Sequence, residues 1–420
     1  MIMNLLEEKL TAFDPEVDHI IREEIRYNEG TINLIASENY PPKSLMKALS
    51  SMLSGIYSEG YPGERWYRGL EHIDKLESLA IERAKAIFGA EHANVQALSG
   101  SNANIAAYLA MLNLGDRILS MDIDAGGHLS HGAKANLVSK LYNVVQYGVH
   151  PQTGLLDFDA IRKLALETKP KLIVCGASAY PRTIDFKRFR EIADEVGAFL
   201  MADISHIAGL VVAGAHPDPV PFCDVVTTTT HKTLRMTRGA IILCKKALAV
   251  KVDRAVFPTL QGGPHQSNIS AIAVGLKHLN APEYKQYIQL VVANAAALVQ
   301  ELKALGATIV SDGTDNHLLL MDLSKHHLDG ETASIALEKA HIIVNKNKIP
   351  GDQGTAKKPS GIRLGSPAIS TRGMGSEEVR LIAKWVMDVI NNPDHEAVLQ
   401  KIKAEVMTLC AQFPIYKLTF

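Results

Sequence analysis

Only four cysteines occur in 420 residues, Cys175, Cys223, Cys244 and Cys410, and none forms a CxxC pair. Three sit in apolar or strand-like runs, so buried free thiols are expected rather than a disulfide framework or a metal site. Charge of one sign is lacking too: 44 basic residues face 45 acidic ones, for a net charge of −1. That balance argues against a nucleic-acid or membrane-surface protein, a local basic patch aside. No segment reaches the ~18 apolar residues of a membrane span. The start, MIMNLLEEKL, is acidic and without the apolar stretch of a secretory signal, so a cytoplasmic protein is expected. Repeats and low-complexity tracts are missing.

What is present reads as a globular chain long enough for two domains. Asp14 is placed to cap a first helix with Pro15 in its first turn, and Val17, Ile20, Ile21 and Ile25 line one side. With so little chain before it, this helix, in an arm over residues 1–30, is expected on another surface such as a partner subunit. From about residue 70 helices alternate with apolar strands. EHIDKLESLAIERAKAIFG stops at Gly89, and NVQAL, RILSMDI, NVVQYGV, KLIVCGASA, AFLMADIS, DVVTTTT and GAIILCK read as strands. Such near-continuous apolar strands imply a mainly parallel sheet covered on both faces, an α/β domain over 31–280. After Asn280-Ala281-Pro282 a long helix, the strands TIVSD, HLLLMDL, IIVNKN and IRLGSPAI, and a closing helix form a smaller α/β domain over 281–420.

Ligands of open parallel sheets gather at the carboxyl ends of the strands. Three polar clusters lie there. Ser99-Gly100-Ser101 joins a strand to a helix, whose N-terminus could hold a phosphate, although a plain turn looks the same. Asp203 ends a second strand, where a carboxylate either caps or meets a positive partner. Lys232 ends VVTTTTHK, 29 residues on, either losing solvation and becoming nucleophilic or snorkelling to water. Together the three have the order expected for pyridoxal 5′-phosphate: a phosphate cradle, an aspartate for the pyridine nitrogen and a Schiff-base lysine.

The sequence resembles the serine hydroxymethyltransferases along nearly its whole length. The matching stretches are NLIASENY (33–40), EGYPGERWY (59–67), SGSNAN (99–104), GGHLSHG (126–132), ASAYPRTIDF (177–186), DISHIAGLVVAG (203–214), VVTTTTHKT (225–233), FPTLQGGPH (257–265), GTDNHLLLMDL (313–323), VNKN (344–347) and SGIRLGSPAI (360–369). The resemblance implies the aspartate-aminotransferase-like fold, pyridoxal-phosphate fold type I. It implies transfer of the hydroxymethyl carbon of L-serine to tetrahydrofolate, giving glycine and 5,10-methylenetetrahydrofolate. By similarity Lys232 carries the cofactor, Thr229 assists exchange at that lysine, and His231 sits beside the ring. His128 stacks on the ring, Asp203 holds its nitrogen, and Ser178 and His206 address its phenolic oxygen. Ser99, Gly100 and Ser101 grip the phosphate, which Tyr57 and the Gly262–Gly263 loop reach from the other subunit, implying a homodimer at least. Arg363 offers a planar fork for the substrate α-carboxylate, with Ser37 and Tyr67 orienting the amino acid. Glu59 is the acid–base carboxylate, and Ile123, Gly127, Leu129 and Asn347 contact the folate.

Some residues depart from the family pattern. Met236 and Thr237 follow HKTLR where the family usually has Gly and then Pro or another small residue. If that Gly needs a positive φ, Met236 is strained or the turn shifts. Trp66 replaces a tyrosine, Arg68 a usual glycine and Ala125 a frequent histidine, and Thr259 stands where a small residue is common. Trp66, Arg68 and Met236 motivate a rival reading, a folate-independent aldolase for β-hydroxy amino acids or a transferase for α-methylserine. Glu59 and Asn347 argue against it. A silent homologue acting as a binding subunit would be marked by loss of Lys232, Asp203 or Arg363, and all three stand.

Overall fold

In the computed structural model, which describes residues 9–416, a seven-stranded sheet organises most of the first half of the chain. In spatial order its strands are His92–Asn94, Ala240–Cys244, Val225–Thr229, Phe199–Asp203, Leu172–Gly176, Arg117–Met121 and Asn143–Tyr147. Six run parallel, and Ala240–Cys244 alone is antiparallel to its two neighbours. Successive residues feed opposite cores. Leu172, Val225 and Ile242 pack on one face, while Ile173, Val226 and Ile241 pack on the other. This period of two, apolar at every position, is why the strands read as unbroken hydrophobic runs.

A second sheet of four strands, Thr308–Ile309, Leu318–Asp322, Gly361–Gly365 and Asn345–Asn347, is antiparallel throughout and has its own core. The short strand Ile32–Asn33 pairs parallel with Ile342–Ile343, and Ile32 and Leu34 join that core. Helix Pro15–Glu29 begins as its sequence indicates, with Asp14 Oδ1 accepting from Val17 N at 3.0 Å. Val17, Ile20, Ile21 and Ile25 are 42–58% exposed, a bare apolar stripe.

Several strands stop short of the sequence expectation, IIVNKN divides between two sheets as Ile342–Ile343 and Asn345–Asn347, and three ends show a local cause. The NVQAL strand pairs regularly only over His92–Asn94, because the Asn94 side chain accepts from Gln96 N (3.0 Å) and interrupts the ladder, which the chain meets again where Ala97 O accepts from Ala240 N at 3.1 Å. TIVSD pairs only at Thr308–Ile309, since Ser311 and Asp312 take left-handed φ of 55° and 58°. IRLGSPAI pairs up to Gly365, then Pro367 opens the helix Pro367–Thr371, its fixed φ suiting a first helical position.

Candidate functional site

Threonine hydroxyls knit the end of Val225–Thr229 to its surroundings. Thr227 Oγ1 donates to Asn104 Oδ1 (2.6 Å), Thr230 Oγ1 to Thr237 O (2.6 Å) and Thr233 Oγ1 to His206 O (2.9 Å). Lys232 leaves this strand end almost fully buried. The following turn closes with Met236 N donating to Thr230 O at 3.0 Å. Its left-handed residue is Arg235, φ 57°, so Met236 carries no backbone strain. The side chain of Met236 is buried against the Cα of Gly275, where a Cβ would lie 2.5 Å from the methionine sulfur. A glycine elsewhere in the chain makes the room that a small residue would make in the turn.

Asp203 ends the neighbouring parallel strand, in register with Thr227. Its Oδ2 accepts from His131 Nε2 (3.0 Å) and Asn104 Nδ2 (2.9 Å), and its Oδ1 from Ser205 N (3.0 Å). Burial by itself would raise this carboxyl, but the His131 hydrogen bond, the fields of His131 and His128, and the Asn104 amide hold it well below the usual range. His128, His131 and Asp203 bring ligand atoms within 4.8 Å of one another, as a metal site would. These groups are instead tied into hydrogen bonds, His128 Nδ1 with Ser130 Oγ at 2.7 Å.

Two glycines deliver His128. Gly126 takes φ 110° against the Ala179 carbonyl, and a Cβ on Gly127 would lie 2.2 Å from Met121 O. Ser99 caps helix Gly100–Met111, accepting from Asn102 N at 3.3 Å. A Cβ on Gly100 would press within 2.7 Å of the Thr229 methyl, so glycine lets the helix start against the strand end.

These elements enclose a cavity of about 140 Å³ lined by Ser99, Gly100, Ser101, His128, Ser178, Asp203, Thr229, His231 and Lys232. Burial pushes the Lys232 ammonium down to about 8; Asp203 opposes the fall, while Arg363 and Arg238 add to it. Burial likewise takes His128 to about 4 and His231, beside Arg238 and Lys232, to about 3.

The other expected residues lie elsewhere. His206 stacks on His317 at 5.4 Å, its Nδ1 3.2 Å from His317 Nε2, and burial holds it well below the usual range. Arg363 is buried on Gly361–Gly365, its Nε donating to Asn345 Oδ1 (3.0 Å) and Nη1 to Ser178 O (2.6 Å). Ser37 lines an adjoining cleft of about 600 Å³ that shares His231 and Arg238 with the cavity. Ile123 and Leu129 are 46% and 45% exposed, and Asn347 Nδ2 donates to Lys348 O. Tyr57, Glu59, Tyr67, Gly262 and Gly263 gather in a separate group. The Tyr57 and Tyr67 rings stand 5.6 Å apart, and Cβ atoms built on the glycines would touch Glu59. None of the five lines the Lys232 cavity. Trp66, Arg68 and Thr259 are exposed.

Sequence reasoning missed Arg238, which lines the cavity, and His131, Asn104 and Ser205, which hold Asp203. His131 was findable, since it ends the same GGHLSH stretch as His128. Asn104 and Arg238 carry no local signal.

Two buried atoms test the cofactor. Among the described residues Thr229 Oγ1 and His231 Nδ1 have no hydrogen-bond partner, which is unusual for buried polar groups. With a serine-rich helix N-terminus, a carboxylate and a lysine of lowered pKa around one cavity, the donor set suits a molecule bearing a phosphate, a basic ring nitrogen and an aldehyde. Fold and cavity together are those of a fold-type I pyridoxal-phosphate enzyme. A model of the serine hydroxymethyltransferase family matches residues 10–386, and the chain belongs to that family. It is 51% identical over 410 residues to a serine hydroxymethyltransferase of Acinetobacter baylyi, covering 97% of this chain and 98% of the relative. It is 49% identical over 407 residues to that of Dehalococcoides mccartyi, with the same coverage. Its activity is the family's: reversible transfer of the hydroxymethyl carbon of L-serine to tetrahydrofolate, giving glycine, with pyridoxal 5′-phosphate as cofactor.

Proposed function

We propose that Lys232 carries the cofactor and that Asp203 meets its ring nitrogen, with His128 on the ring face and His231 beside it. Ser99, Gly100 and Ser101 take the phosphate, Ser178 and His206 face the phenolic oxygen, and Thr229 assists exchange at Lys232. The observation that carries this reading is the burial of Lys232 and Asp203 at adjacent strand ends around one cavity. When bound, pyridoxal phosphate supplies the electron sink for bond cleavage at Cα. The chain's own groups do the rest. Arg363 binds the α-carboxylate and, with Ser37 and Tyr67, sets which Cα bond lies across the ring. Glu59 holds or releases a proton at the serine hydroxyl and the folate nitrogen. Ile123, Gly127, Leu129 and Asn347 line the folate.

Further parts of the reading concern assembly. Tyr57, Glu59, Tyr67 and the Gly262–Gly263 loop serve the active site of a second copy in a homodimer, which their separation from the Lys232 cavity supports. The apolar stripe of helix Pro15–Glu29 is covered there. We assign residues 1–30 to an arm, 31–280 to a cofactor-binding unit, apart from the strand Ile32–Asn33 and Leu34, which pack with the smaller unit, and 281–420 to that smaller unit; 1–8 and 417–420 lie outside the described residues. The location we propose is the cytoplasm; among the described residues no helix is long and apolar enough to cross a membrane. The test is subunit mixing. Lys232→Ala and Glu59→Gln chains, each inactive alone, should recover about a quarter of parental folate-dependent activity when randomly reassorted, because half the sites of each mixed dimer are intact. No recovery would refute shared sites.

A further inference from the structure

Glu59 sits in a segment held with unusual thoroughness. Strand Glu64–Arg65 folds back on Gly60–Tyr61, with Gly60 opposite Arg65. The fold-back needs Gly60 itself, at φ 93° and with no space for a Cβ, which would lie 2.3 Å from Glu64 O. The Arg65 guanidinium, its side chain 3% exposed, then reaches back past the hairpin. One nitrogen, Nη1, donates to the carbonyls on both sides of Glu59, Ser58 O at 2.7 Å and Gly60 O at 2.8 Å. The carbonyl of Glu59 itself accepts from Trp66 N at 3.1 Å. All three consecutive carbonyls are thus fixed, and only the Glu59 side chain is left to project.

The guanidinium is locked in turn. Its Nε donates to Asp74 Oδ1 (2.8 Å) and its Nη2 to Glu77 Oε2 (2.7 Å), carboxylates one turn apart on helix Glu71–Phe88. Glu77 is fully buried, and a buried carboxylate is tolerated only when its lone pairs are filled. Gln96 Nε2 fills one (2.6 Å) and also donates to Gly60 O at 3.0 Å. Gln266 Nε2 fills another (2.8 Å) and donates to Ser58 Oγ at 3.0 Å. Gln266 opens the helix that follows the Gly262–Gly263 loop, so one buried cluster sets the Glu59 segment and that loop in common register.

We propose that Arg65, backed by Glu77 and Gln96, is the positioning residue for the Glu59 carboxylate. The proposal rests on the reading of Glu59 as the acid–base group. A lysine cannot span both carbonyls and both carboxylates, because it has one nitrogen where arginine has a planar fork. Arg65→Lys therefore frees the Glu59 segment without emptying the cluster of charge.

The experiment uses cofactor-loaded enzyme carrying Arg65→Lys, and separately Gln96→Met, each with Glu59 intact and with Glu59→Gln. Gln96→Met carries the test if Arg65→Lys does not fold. With Glu59 intact, kcat for folate-dependent serine cleavage should fall about 10- to 100-fold, the scale of a small misplacement of a reacting group. The cofactor absorption band and exchange of the glycine α-proton should stay within about twofold, since glycine has no hydroxyl for Glu59 to meet. Amide exchange over 58–66 should quicken. In the Glu59→Gln background the same changes should cost nothing further. An equal loss in both backgrounds, or no loss in folded Arg65→Lys, would overturn the proposal. Unchanged kcat in Glu59→Gln alone would overturn the reading of Glu59, and this inference with it.

Discussion

Adding one methyl group at Gly275 should have opposite effects depending on residue 236. Gly275 lies inside helix Gln266–Leu279, and the Cβ of an alanine there would sit 2.5 Å from Met236 Sδ, 2.6 Å from its Cγ and 3.1 Å from its Cε. Real Cβ atoms do not approach that closely, so the Met236 side chain, 2% exposed at the edge of the cleft that also holds Ser37, must shift to make room. Overpacking of this kind costs about 1–3 kcal/mol. Against it stands the helix preference of Ala over Gly, about 1 kcal/mol. The net effect of Gly275→Ala in the parent is then a loss of about 0–2 kcal/mol. In a Met236→Ala background the obstacle is gone and the propensity term remains, so the same substitution should stabilise by about 0.5–1 kcal/mol. Urea midpoints of the loaded enzyme at fixed protein and cofactor concentration measure both. A shift of the same sign and size in the two backgrounds would refute the packing argument. Because Met236 N is bonded to Thr230 O, the parental variant should also disturb the turn that carries Lys232, visible in its cofactor spectrum.

Two further outcomes follow from the site. In cofactor-free protein Lys232 titrates near 8 against 10.5 in the unfolded chain, so the unfolded chain binds more protons between those values. Stability should therefore rise with pH from about 8 to 10.5 and be fully regained above that, by up to about 3 kcal/mol relative to Lys232→Met. Parallel pH–stability curves for the two proteins would show that burial does not depress this lysine. Arg363→Lys should raise KM for serine at least ~100-fold, because the fork to the carboxylate and the ties to Asn345 and Ser178 go together. A KM within about threefold of the parent would remove Arg363 from substrate binding.

The parallel strands, Asp203, Lys232 and the serine-lined turn were legible because each is a local pattern: an apolar run, then a polar residue where the run stops. Strand ends were less so, since a side-chain turn such as that of Asn94 competes with the ladder one residue at a time. What could not be read is what depends on distant partners. The fit of Met236 is decided 39 positions away at Gly275, and the hold on Asp203 comes from Asn104 and His131 on other elements. The sequence raised the question of strain at Met236, but only the backbone shows the left-handed residue to be Arg235.

The register of Asp203 opposite Thr227 also maps where the chain tolerates changes in length. A residue inserted in the connection between these strands, around 213–221, would be taken up outside the sheet and leave the aspartate and the lysine at neighbouring strand ends. One inserted between Val225 and Thr229 would turn the later side chains of that strand to the opposite face, each toward the wrong core, and carry Lys232 away from Asp203. The 29-residue spacing of the two groups is therefore elastic in its loop and rigid in its strand. A scan of single-residue insertions should lose cofactor binding abruptly on entering the strand at Val225.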